Sequence, residues 1–310
     1  MRVLVTGGAG FIGSHLVRWL VRENHVVRVL DNLSTGRRAM LGPVQDSVEM
    51  IVGDIRDFET VQSAVAGVDL VFHLAAMVSV AQSVEQPLLA QSINATGSLH
   101  VLDAARKVGA RRVIQASSCA IYGNCERLPI SENEPPQPSS PYAITKLAAE
   151  QAGQLYSRLY GLEVVALRFF NVYGPRQDPN SPYAAAVPRF MATLHARQQP
   201  TIYGDGLQSR DFIFVEDIVR ALWAAATVPG IAGEAFNVGR GEGLSIRDLV
   251  DMLGDVLGVP SKPLFAPPRD GEVRHSLADV SRFAERTGFR AQVGLREGLA
   301  AMTERANAKG

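Results

Sequence analysis

The feature that most constrains this chain is a glycine-rich segment close to its amino terminus, residues 6–13 with the sequence TGGAGFIG. It follows an apolar run at residues 3–5 and precedes a helical pattern at residues 15–22. Glycines permit a tight turn and a close approach of the backbone to a bound group, and the start of a helix presents free N–H groups. Phosphate binds readily at such a helix terminus. The segment therefore predicts a phosphate-binding turn between a first strand and a first helix.

The first 170 residues alternate short apolar runs with longer helical patterns. The predicted strands are residues 3–5, 26–30, 50–52, 70–72, 113–115 and 164–167, and the predicted helices include 15–22, 60–65 and 88–107. Most of these runs are apolar at nearly every position, which is typical of parallel strands that helices cover on both faces. We therefore predict an α/β fold with a doubly wound parallel sheet of the Rossmann type, joined by right-handed crossovers.

Beyond about residue 170 the pattern becomes irregular because prolines interrupt it repeatedly. Residues 235–238 form one more apolar run, which predicts a strand that returns to the first sheet. We predict a dinucleotide-binding domain of residues 1–170 with about 213–240. A smaller, interleaved α/β substrate domain is predicted for about 171–212 with 241–310.

An acidic residue, Asp31, ends the second predicted strand 18 residues after Gly13. A carboxylate at this place can accept hydrogen bonds from both ribose hydroxyls of an adenosine. It also repels a 2′-phosphate, so we expect NAD rather than NADP. Arg37 and Arg38 would weaken this argument at the ribose, but they lie beyond a flexible turn at residues 34–36.

A second acidic residue, Asp54, follows the third predicted strand together with Ile55. Both are placed to meet the adenine edge of the cofactor. The alternative is that Asp54 only caps the turn that follows the strand.

Three further side chains form a candidate catalytic group. Tyr142 and Lys146 lie four residues apart after Ser140 and Pro141, a favoured N-cap and a favoured first helical residue. Both side chains are therefore expected on one face of one helix. A free tyrosine has a pKa of about 10, and a neighbouring ammonium with a positive nicotinamide ring is expected to lower that pKa. Ser118 follows a predicted strand, at the carboxyl edge where ligands bind in such sheets.

The glycine turn, the acidic strand end, the serine and the Tyr/Lys pair follow one another in an order that resembles the extended short-chain dehydrogenase/reductase family. Further matching segments are residues 31–36 (DNLSTG), 73–76 (HLAA), Asn94, 168–175 (RFFNVYGP) and 210–212 (RDF). They are typical of the NAD-dependent epimerase/dehydratase branch, and the resemblance is strongest to UDP-glucose and UDP-N-acetylglucosamine 4-epimerases.

The resemblance implies a mechanism for inversion at C4 of a UDP-hexose. Tyr142, as phenolate, removes the proton from O4 while C4 gives a hydride to NAD, and Ser118 bridges O4 and Tyr142. Lys146 anchors the nicotinamide ribose. The 4-keto sugar then turns and takes the hydride back on its other face. The cofactor-binding residues so implied are Gly7, Gly10, Phe11, Ile12, Gly13, Asp31, Asn32, Ser34, Thr35, Gly36, Asp54, Ile55, Leu74, Ala75, Ala76, Asn94, Tyr142, Lys146 and Phe169.

The resemblance also implies a set of substrate-binding residues. They are Ser79, Ser118, Asn171, Val187, Thr201, Tyr203, Arg210, Arg269, Glu272 and Ser276. Arg210 and Arg269 are expected on the diphosphate, since guanidinium groups bind phosphate in a bidentate manner. Ser276 is expected near C2 of the sugar, where a small residue admits an N-acetyl group that a tyrosine would exclude. Val78 stands where some epimerases have a lysine, and Ser79 is expected to supply a polar contact instead.

The residues after Ser118 favour epimerisation over dehydration or decarboxylation. Related enzymes that eliminate water or carbon dioxide carry an acidic residue there, whereas this chain has Cys119 and Ala120. Three alternatives stay open: a UDP-glucuronate 4-epimerase, a sugar-nucleotide oxidoreductase that turns over free NAD, and a non-catalytic nucleotide-binding regulator. The regulator is disfavoured because the serine, the tyrosine and the lysine are all present.

The composition bounds the partners and the location. With 31 basic and 31 acidic residues the formal net charge is zero, so no electrostatic footprint for nucleic acid or an anionic membrane exists. No apolar stretch approaches the roughly 18 residues that cross a bilayer, and two cysteines are too few for a disulfide scaffold. We expect a cytoplasmic protein without a metal. The resemblance implies a homodimer in which the patterns at 88–107 and 141–160 pair as a four-helix bundle.

Overall fold

The chain folds into alternating strands and helices. The computed structural model describes residues 1–179, 185–268 and 273–307, with side chains described up to Thr303. The strands are β1 (Arg2–Thr6), β2 (Val26–Asp31), β3 (Glu49–Val52), β4 (Leu70–His73), β5 (Arg112–Ser118), β6 (Glu163–Phe169), β7 (Asn171–Tyr173), β8 (Thr201–Tyr203), β9 (Ser209–Phe214), β10 (Ala235–Val238), β11 (Gly243–Ser245), β12 (Leu264–Ala266) and β13 (His275–Ser276). The helices are α1 (Phe11–Arg22), α2 (Phe58–Val65), α3 (Val80–Glu85), α4 (Pro87–Ala90), α5 (Gly97–Lys107), α6 (Pro141–Tyr160), α7 (Ala186–His195), α8 (Val215–Thr227), α9 (Ile246–Leu257), α10 (Ser281–Thr287) and α11 (Leu295–Asn307).

Seven strands form one parallel sheet in the order β3-β2-β1-β4-β5-β6-β10. The direction of winding reverses between β1 and β4, and in open α/β sheets ligands bind outside the carboxyl ends of the strands at such a point. The predicted doubly wound parallel sheet is confirmed. Residues 235–238, as β10, return to it at one edge, as the sequence predicts.

The strands of this sheet are apolar on both faces because a core lies on each face. On β1, Val3 and Val5 belong to the core that includes residues of α1 and α8. Leu4, between them, belongs to the core that includes residues of α2 and α5. All three side chains are fully buried, and burying an aliphatic side chain contributes roughly 1.5–3 kcal/mol. Side chains alternate between faces, so each central strand stabilises both layers.

Two helical regions position the site. Helix α6 begins as predicted, since Ser140 Oγ accepts the Ala143 N–H at 3.2 Å and Pro141 occupies the first turn. The single helix predicted for residues 88–107 is instead α4, a π-helical segment (Gln91–Thr96) and α5. Such wider turns often lie at functional sites, and this one contains Asn94.

The remaining strands form a smaller half. Strand β9 pairs with β7, β11 and β13, while β8 pairs with β12. A third apolar core, which includes Phe190, Phe212 and Leu249, joins α7, α9 and β9. Helix α10 packs differently, because Phe283 lies 5.2 Å from Phe236 of β10 between ring centroids. Part of the segment predicted for the smaller domain therefore packs on the central sheet. Every helix among the described residues is too short or too polar to span a bilayer.

Candidate active site

The glycine turn joins β1 to α1 at the carboxyl edge of the sheet. Gly7 has a φ of 70°, a conformation that favours glycine, and a Cβ there would lie 2.8 Å from the backbone nitrogen of Ala75. A Cβ on Gly13 would collide with the carbonyl oxygen of Gly7. Gly10 is the N-cap residue of α1. The turn thus brings backbone to backbone and leaves the amino end of α1 open to an anion.

Asp31 packs against this turn. Its Oδ2 accepts the Ala9 N–H at 2.9 Å and its Oδ1 accepts the Leu33 N–H at 2.8 Å. Burial raises the pKa of Asp31, and the two backbone donors offset part of that rise. A Cβ on Gly36 would lie 2.9 Å from Oδ1. Because a carboxylate has about four acceptor positions, Asp31 keeps capacity for ribose hydroxyls.

Asp54 is already engaged by protein groups. Its oxygens accept the Arg56 guanidinium at 2.9 and 2.8 Å and the Asn32 amide at 2.9 Å. The Arg56 guanidinium, opposed in part by burial, holds the pKa of Asp54 well below its usual range. The backbone N–H of Arg56 also donates to Asp54 Oδ1 at 2.8 Å. This is the turn-capping arrangement that the sequence analysis gives as the alternative. The adenine contact of Asp54 and Ile55 stays a prediction.

The other predicted cofactor residues follow the same edge of the sheet. Phe11 and Ile12 begin α1, Ser34 and Thr35 lie in an exposed turn after β2, Leu74, Ala75 and Ala76 follow β4 half-buried, and Phe169 ends β6. Asn94 differs from these residues because its side chain is hydrogen-bonded to other protein groups. Its amide donates to Met77 O at 3.0 Å and Thr145 Oγ1 at 3.1 Å, and its oxygen accepts the Met77 N–H at 2.8 Å. Asn94 therefore ties the segment after β4 to α6, and its cofactor contact stays a prediction.

Ser118, Tyr142 and Lys146, hereafter the Ser–Tyr–Lys group, meet where β5 ends beside α6. The Ser118 side chain lies close enough to the Tyr142 hydroxyl to favour the phenolate form, and Ser118 Oγ accepts the Ala120 N–H at 3.2 Å. Tyr142 is 8% and Lys146 7% exposed. The i, i+4 spacing places both on one face of α6. This arrangement can move a proton between a substrate oxygen, a serine and a tyrosine.

Burial shifts the pKa values of both Tyr142 and Lys146. Burial raises the pKa of Tyr142 to about 12, and the hydrogen bond with Ser118 offsets only part of that rise. Burial lowers the pKa of Lys146 to about 8, against the opposing charge of Glu150. Among the protein's own groups, the loss of water around the phenolate outweighs the contact with Ser118. The predicted lowering of the tyrosine pKa depends also on the positive nicotinamide ring of bound NAD, and it stays a prediction.

The substrate half contributes Asn171, Arg210 and Ser276. The Asn171 amide donates to Asp211 O at 3.2 Å, and Arg210 Nη1 donates to Ser209 O at 2.8 Å. Ser276 is directly paired with Arg210 between β13 and β9, and is 6% exposed. Ser276 therefore lies opposite Arg210, which is a predicted diphosphate-binding residue, on the neighbouring strand.

The two halves meet at Cys119. Ser276 Oγ lies 4.0 Å from the Sγ of Cys119, which is the residue that directly follows Ser118. Ser276, predicted near C2 of the sugar, therefore lies beside the Ser–Tyr–Lys group although 157 residues separate it from Cys119.

The remaining predicted substrate residues take diverse positions. Thr201 and Tyr203 are half-buried on β8, and Ser79 caps α3 by accepting the Gln82 N–H at 3.0 Å. Val187 is 2% exposed and belongs to the third core, so its side chain stabilises the fold. Arg269 and Glu272 lie outside the described residues.

The sequence analysis missed a supporting layer of buried polar groups. His73 Nδ1 lies 2.8 Å from Thr6 Oγ1 and its Nε2 lies 2.8 Å from Ser98 Oγ. Burial, followed by the charge of Lys146, lowers the pKa of His73 to about 3, so this imidazole is a neutral link between β1, β4 and α5. Glu150 and Arg168 form a second link. The available signal was a polar residue at an otherwise apolar strand or helix position.

A large cavity lies away from this group. It has a volume of about 1140 Å³ and its lining includes Arg18, Trp19, Met191 and Arg220. Its lining contains none of the predicted site residues. The chemistry of the Ser–Tyr–Lys group, rather than cavity size, therefore locates the candidate site.

Residues 3–239 match the model of the NAD dependent epimerase/dehydratase family. The chain belongs to this family. A relative named UDP-glucose 4-epimerase, from Mycolicibacterium smegmatis, is 41% identical over 308 residues, covering 98% of each chain. The structure of UDP-glucose 4-epimerase from Thermotoga maritima with UDP-glucose is similar at a TM-score of 0.95 and 38% identity, covering 100% of this chain and 99% of that one. A UDP-N-acetylglucosamine 4-epimerase from Methanobrevibacter ruminantium M1, in complex with UDP-N-acetylmuramic acid, gives 0.95 and 37%, with the same coverage.

Membership in the family confirms the predicted resemblance and the predicted cofactor, NAD. The residues present fit that cofactor. Glycines line the turn where a Cβ on Gly7 or Gly13 would fill the space, and Asp31 lies against the turn. Lys146 is buried one turn after Tyr142 on α6, where its charge can meet a ribose. NAD, the cofactor of this family, is therefore the hydride carrier expected at the edge of the sheet where the Ser–Tyr–Lys group lies.

Proposed function

We propose that this protein is an NAD-dependent UDP-hexose 4-epimerase that interconverts UDP-glucose and UDP-galactose. We propose that it also acts, or acts mainly, on UDP-GlcNAc and UDP-GalNAc. The observation that carries the proposal is the placement of Ser118 beside the buried Tyr142, with Lys146 one helical turn further on the same helix. The relatives named 4-epimerases support it, because they match the chain over nearly its whole length.

The protein groups divide the work in this proposal. NAD, held along the glycine turn, would supply the acceptor and donor of the hydride at C4 of the sugar. Ser118 holds O4 and passes its proton to Tyr142, which receives it as phenolate and later returns it. Lys146 keeps a positive charge beside the phenolate and orients the nicotinamide ribose. Asp31 holds the adenosine ribose.

The neighbour of Ser118 supports epimerisation over dehydration. A dehydratase needs a further acid at this position, and here Cys119 occupies it. Burial raises the pKa of the Cys119 thiol to about 11, so the thiol stays neutral and is a poor acid at neutral pH. Ala120 has no proton to give. The group can therefore move the proton that accompanies hydride exchange between C4 and NAD, but it lacks a carboxylic acid for elimination.

The substrate assignments follow from the same placement. We propose that Arg210 and Asn171 bind the diphosphate with Arg269, and that β8 and Glu272 bind the uridine. We propose that Ser276 leaves room for an N-acetyl group, since its small side chain lies beside Cys119. The central sheet with residues 1–170 and 213–240 is the proposed cofactor domain, and the rest is the proposed substrate domain.

We also propose a cytoplasmic homodimer. Several apolar side chains on α4, α5 and α6 are exposed in the single chain: Leu88 at 85%, Leu99 at 41%, Ile144 at 53%, Leu155 at 39% and Leu159 at 58%. Pairing of these helices between two copies would cover them. Both cysteines are free, which fits a reducing compartment. Sedimentation of the wild type and of Leu159→Glu tests the dimer, and a monomeric wild type would contradict it.

NMR of product formation tests the activity. The purified protein is incubated separately with UDP-glucose, UDP-N-acetylglucosamine and UDP-glucuronate without added NAD, and again with NAD. Appearance of the corresponding galacto sugar names the substrate and establishes 4-epimerisation. Tyr142→Phe is the control, because it removes the proton acceptor and keeps the ring. Net accumulation of NADH, or silence in all samples, contradicts the proposal.

A further inference from the structure

A buried carboxylate lies directly behind the Ser–Tyr–Lys group. Glu150 is on α6 one turn after Lys146 and is 2% exposed. Its Oε2 accepts Ser117 Oγ at 2.6 Å, and its Oε1 accepts Arg168 Nη2 at 2.6 Å. Ser117 and Arg168 are directly paired residues of β5 and β6. One carboxylate therefore fixes α6 to two strands, and Ser118 is the next residue of one of them.

The partner of this carboxylate is itself held from the other side. Arg168 Nη1 donates to the Tyr122 hydroxyl at 2.6 Å, and that hydroxyl donates to Asn237 Oδ1 at 2.7 Å. Asn237 Nδ2 donates to Ile130 O at 2.8 Å. Because Arg168, Tyr122 and Asn237 are all buried, Glu150 cannot exchange its guanidinium partner for water. Its position is therefore fixed.

Glu150 also faces the ammonium of Lys146. Among the described residues, Tyr142 lies one turn before Lys146 on α6, the Lys146 charge acts on His73 of β4, and Arg168 of β6 is the ion-pair partner of Glu150. His73 is neutral at working pH, since burial and the Lys146 charge lower its pKa to about 3. Burial alone favours a neutral lysine, and Glu150 is the group that opposes it. Within the described part of the chain, Glu150 therefore supplies the favourable charge.

We propose that Glu150 is a positioning residue of the reaction. Clamped by Ser117 and Arg168, it sets α6 against the end of β5 and supplies the negative charge that keeps Lys146 an ammonium. Glu150 touches neither substrate nor cofactor in this proposal and acts through Lys146 and Tyr142. The consequence for turnover rests on the proposed epimerase function, whereas the consequence for the protonation of Lys146 does not.

Lysine-selective NMR measures the protonation directly. The chain has four lysines, Lys107, Lys146, Lys262 and Lys309, so protein labelled with ¹³C at the lysine ε-carbon gives four resonances. Lys146→Met assigns the relevant one. The titration is recorded on protein saturated with NAD, between pH 6 and 11, for the wild type and each variant.

Two variants are expected to move the Lys146 midpoint in opposite directions. Glu150→Gln removes the favourable charge and leaves Arg168 unbalanced, so the midpoint falls by about one pH unit. Arg168→Gln leaves Glu150 unbalanced, so the midpoint rises by a similar amount. Ser117→Ala is the matched control, since it removes a hydrogen bond to Glu150 and no charge, and the midpoint stays in place. Equal midpoints in all variants, or shifts of the same sign in the first two, would overturn the proposal.

Turnover provides a second readout and guards against misfolding. The alkaline limb of the kcat profile should follow the Lys146 midpoint in each variant, while KM for the UDP-sugar stays within about twofold, because Glu150 does not contact substrate. A limb that stays in place while the NMR midpoint moves overturns the role in turnover. Inactive wild type with the expected NMR shifts refutes the proposed function and leaves the electrostatic role standing. If a single variant fails to fold, the neutral double variant Glu150→Gln/Arg168→Gln replaces it. The Lys146 midpoint of the double variant is expected to lie above that of Glu150→Gln and below that of Arg168→Gln.

Discussion

Two arginine–carboxylate pairs of similar geometry hold the two halves of the molecule in different ways. In the central-sheet half, Arg168 binds Glu150 and their side chains are 7% and 2% exposed. In the smaller half, Arg274 binds both oxygens of Asp205 at 2.7 and 2.8 Å, but the side chains are 48% and 50% exposed. Water and salt compete for the second pair and not for the first. The pair beside the Ser–Tyr–Lys group is therefore held inside the protein, whereas the pair in the smaller half is held at the surface.

The largest expected effect separates chemistry from stability within the buried half. Tyr142→Phe should lower kcat by about 10²–10⁴-fold, because it removes the group that receives the proton. Stability should change by at most about 1–2 kcal/mol, since the ring stays buried and only one hydroxyl beside Ser118 is lost. Initial rates and urea unfolding measure the two quantities. A variant with full activity would remove Tyr142 from the mechanism.

The next effect tests the comparison itself. Arg168→Ala leaves the Glu150 carboxylate buried without its cation, and should reduce the free energy of unfolding by about 3–5 kcal/mol. Urea unfolding at pH 7 measures this loss. A loss below about 1 kcal/mol would show that the buried pair is no more important than an exposed one.

A substitution at the junction of the halves should alter specificity. Ser276→Tyr places a large ring beside Cys119. Overpacking of this kind costs about 1–3 kcal/mol of binding free energy, so kcat/KM for the N-acetylated UDP-sugar should fall by about 10-fold or more. Activity on UDP-glucose should survive. The two rates are compared in one protein preparation, and an equal loss on both sugars would indicate general disruption of the site.

The smallest effect is expected in the exposed pair. Arg274→Ala should change the free energy of unfolding by at most about 1 kcal/mol, and less at high salt. Arg168→Ala, measured in the same buffer, is the matched comparison for this variant. If Arg274→Ala proves as destabilising as Arg168→Ala, the distinction between the halves is wrong.

Much of the fold could be predicted because its signals are local. An apolar run such as residues 113–115 already indicates a strand covered on both faces, and the glycine spacing after β1 indicates a turn that only glycine can form. Tyr142 and Lys146 were found by their i, i+4 spacing, because one helix fixes their relation. Val187 shows the limit of such reasoning, since its neighbours in sequence say nothing about its place in a core.

The sequence by itself determined the order of the strands in the first 170 residues, the glycine turn and the pairing of Tyr142 with Lys146, since each depends on residues a few positions apart. Only the tertiary structure decided what surrounds them. Tyr122 and Asn237 are 115 residues apart, and Ser276 lies beside Cys119 across 157 residues. The direction of the Tyr142 pKa shift was likewise decided by burial, which depends on the whole packed structure. Desolvation and long-range hydrogen bonds arise only when distant segments meet, so the local pattern of residues cannot contain them.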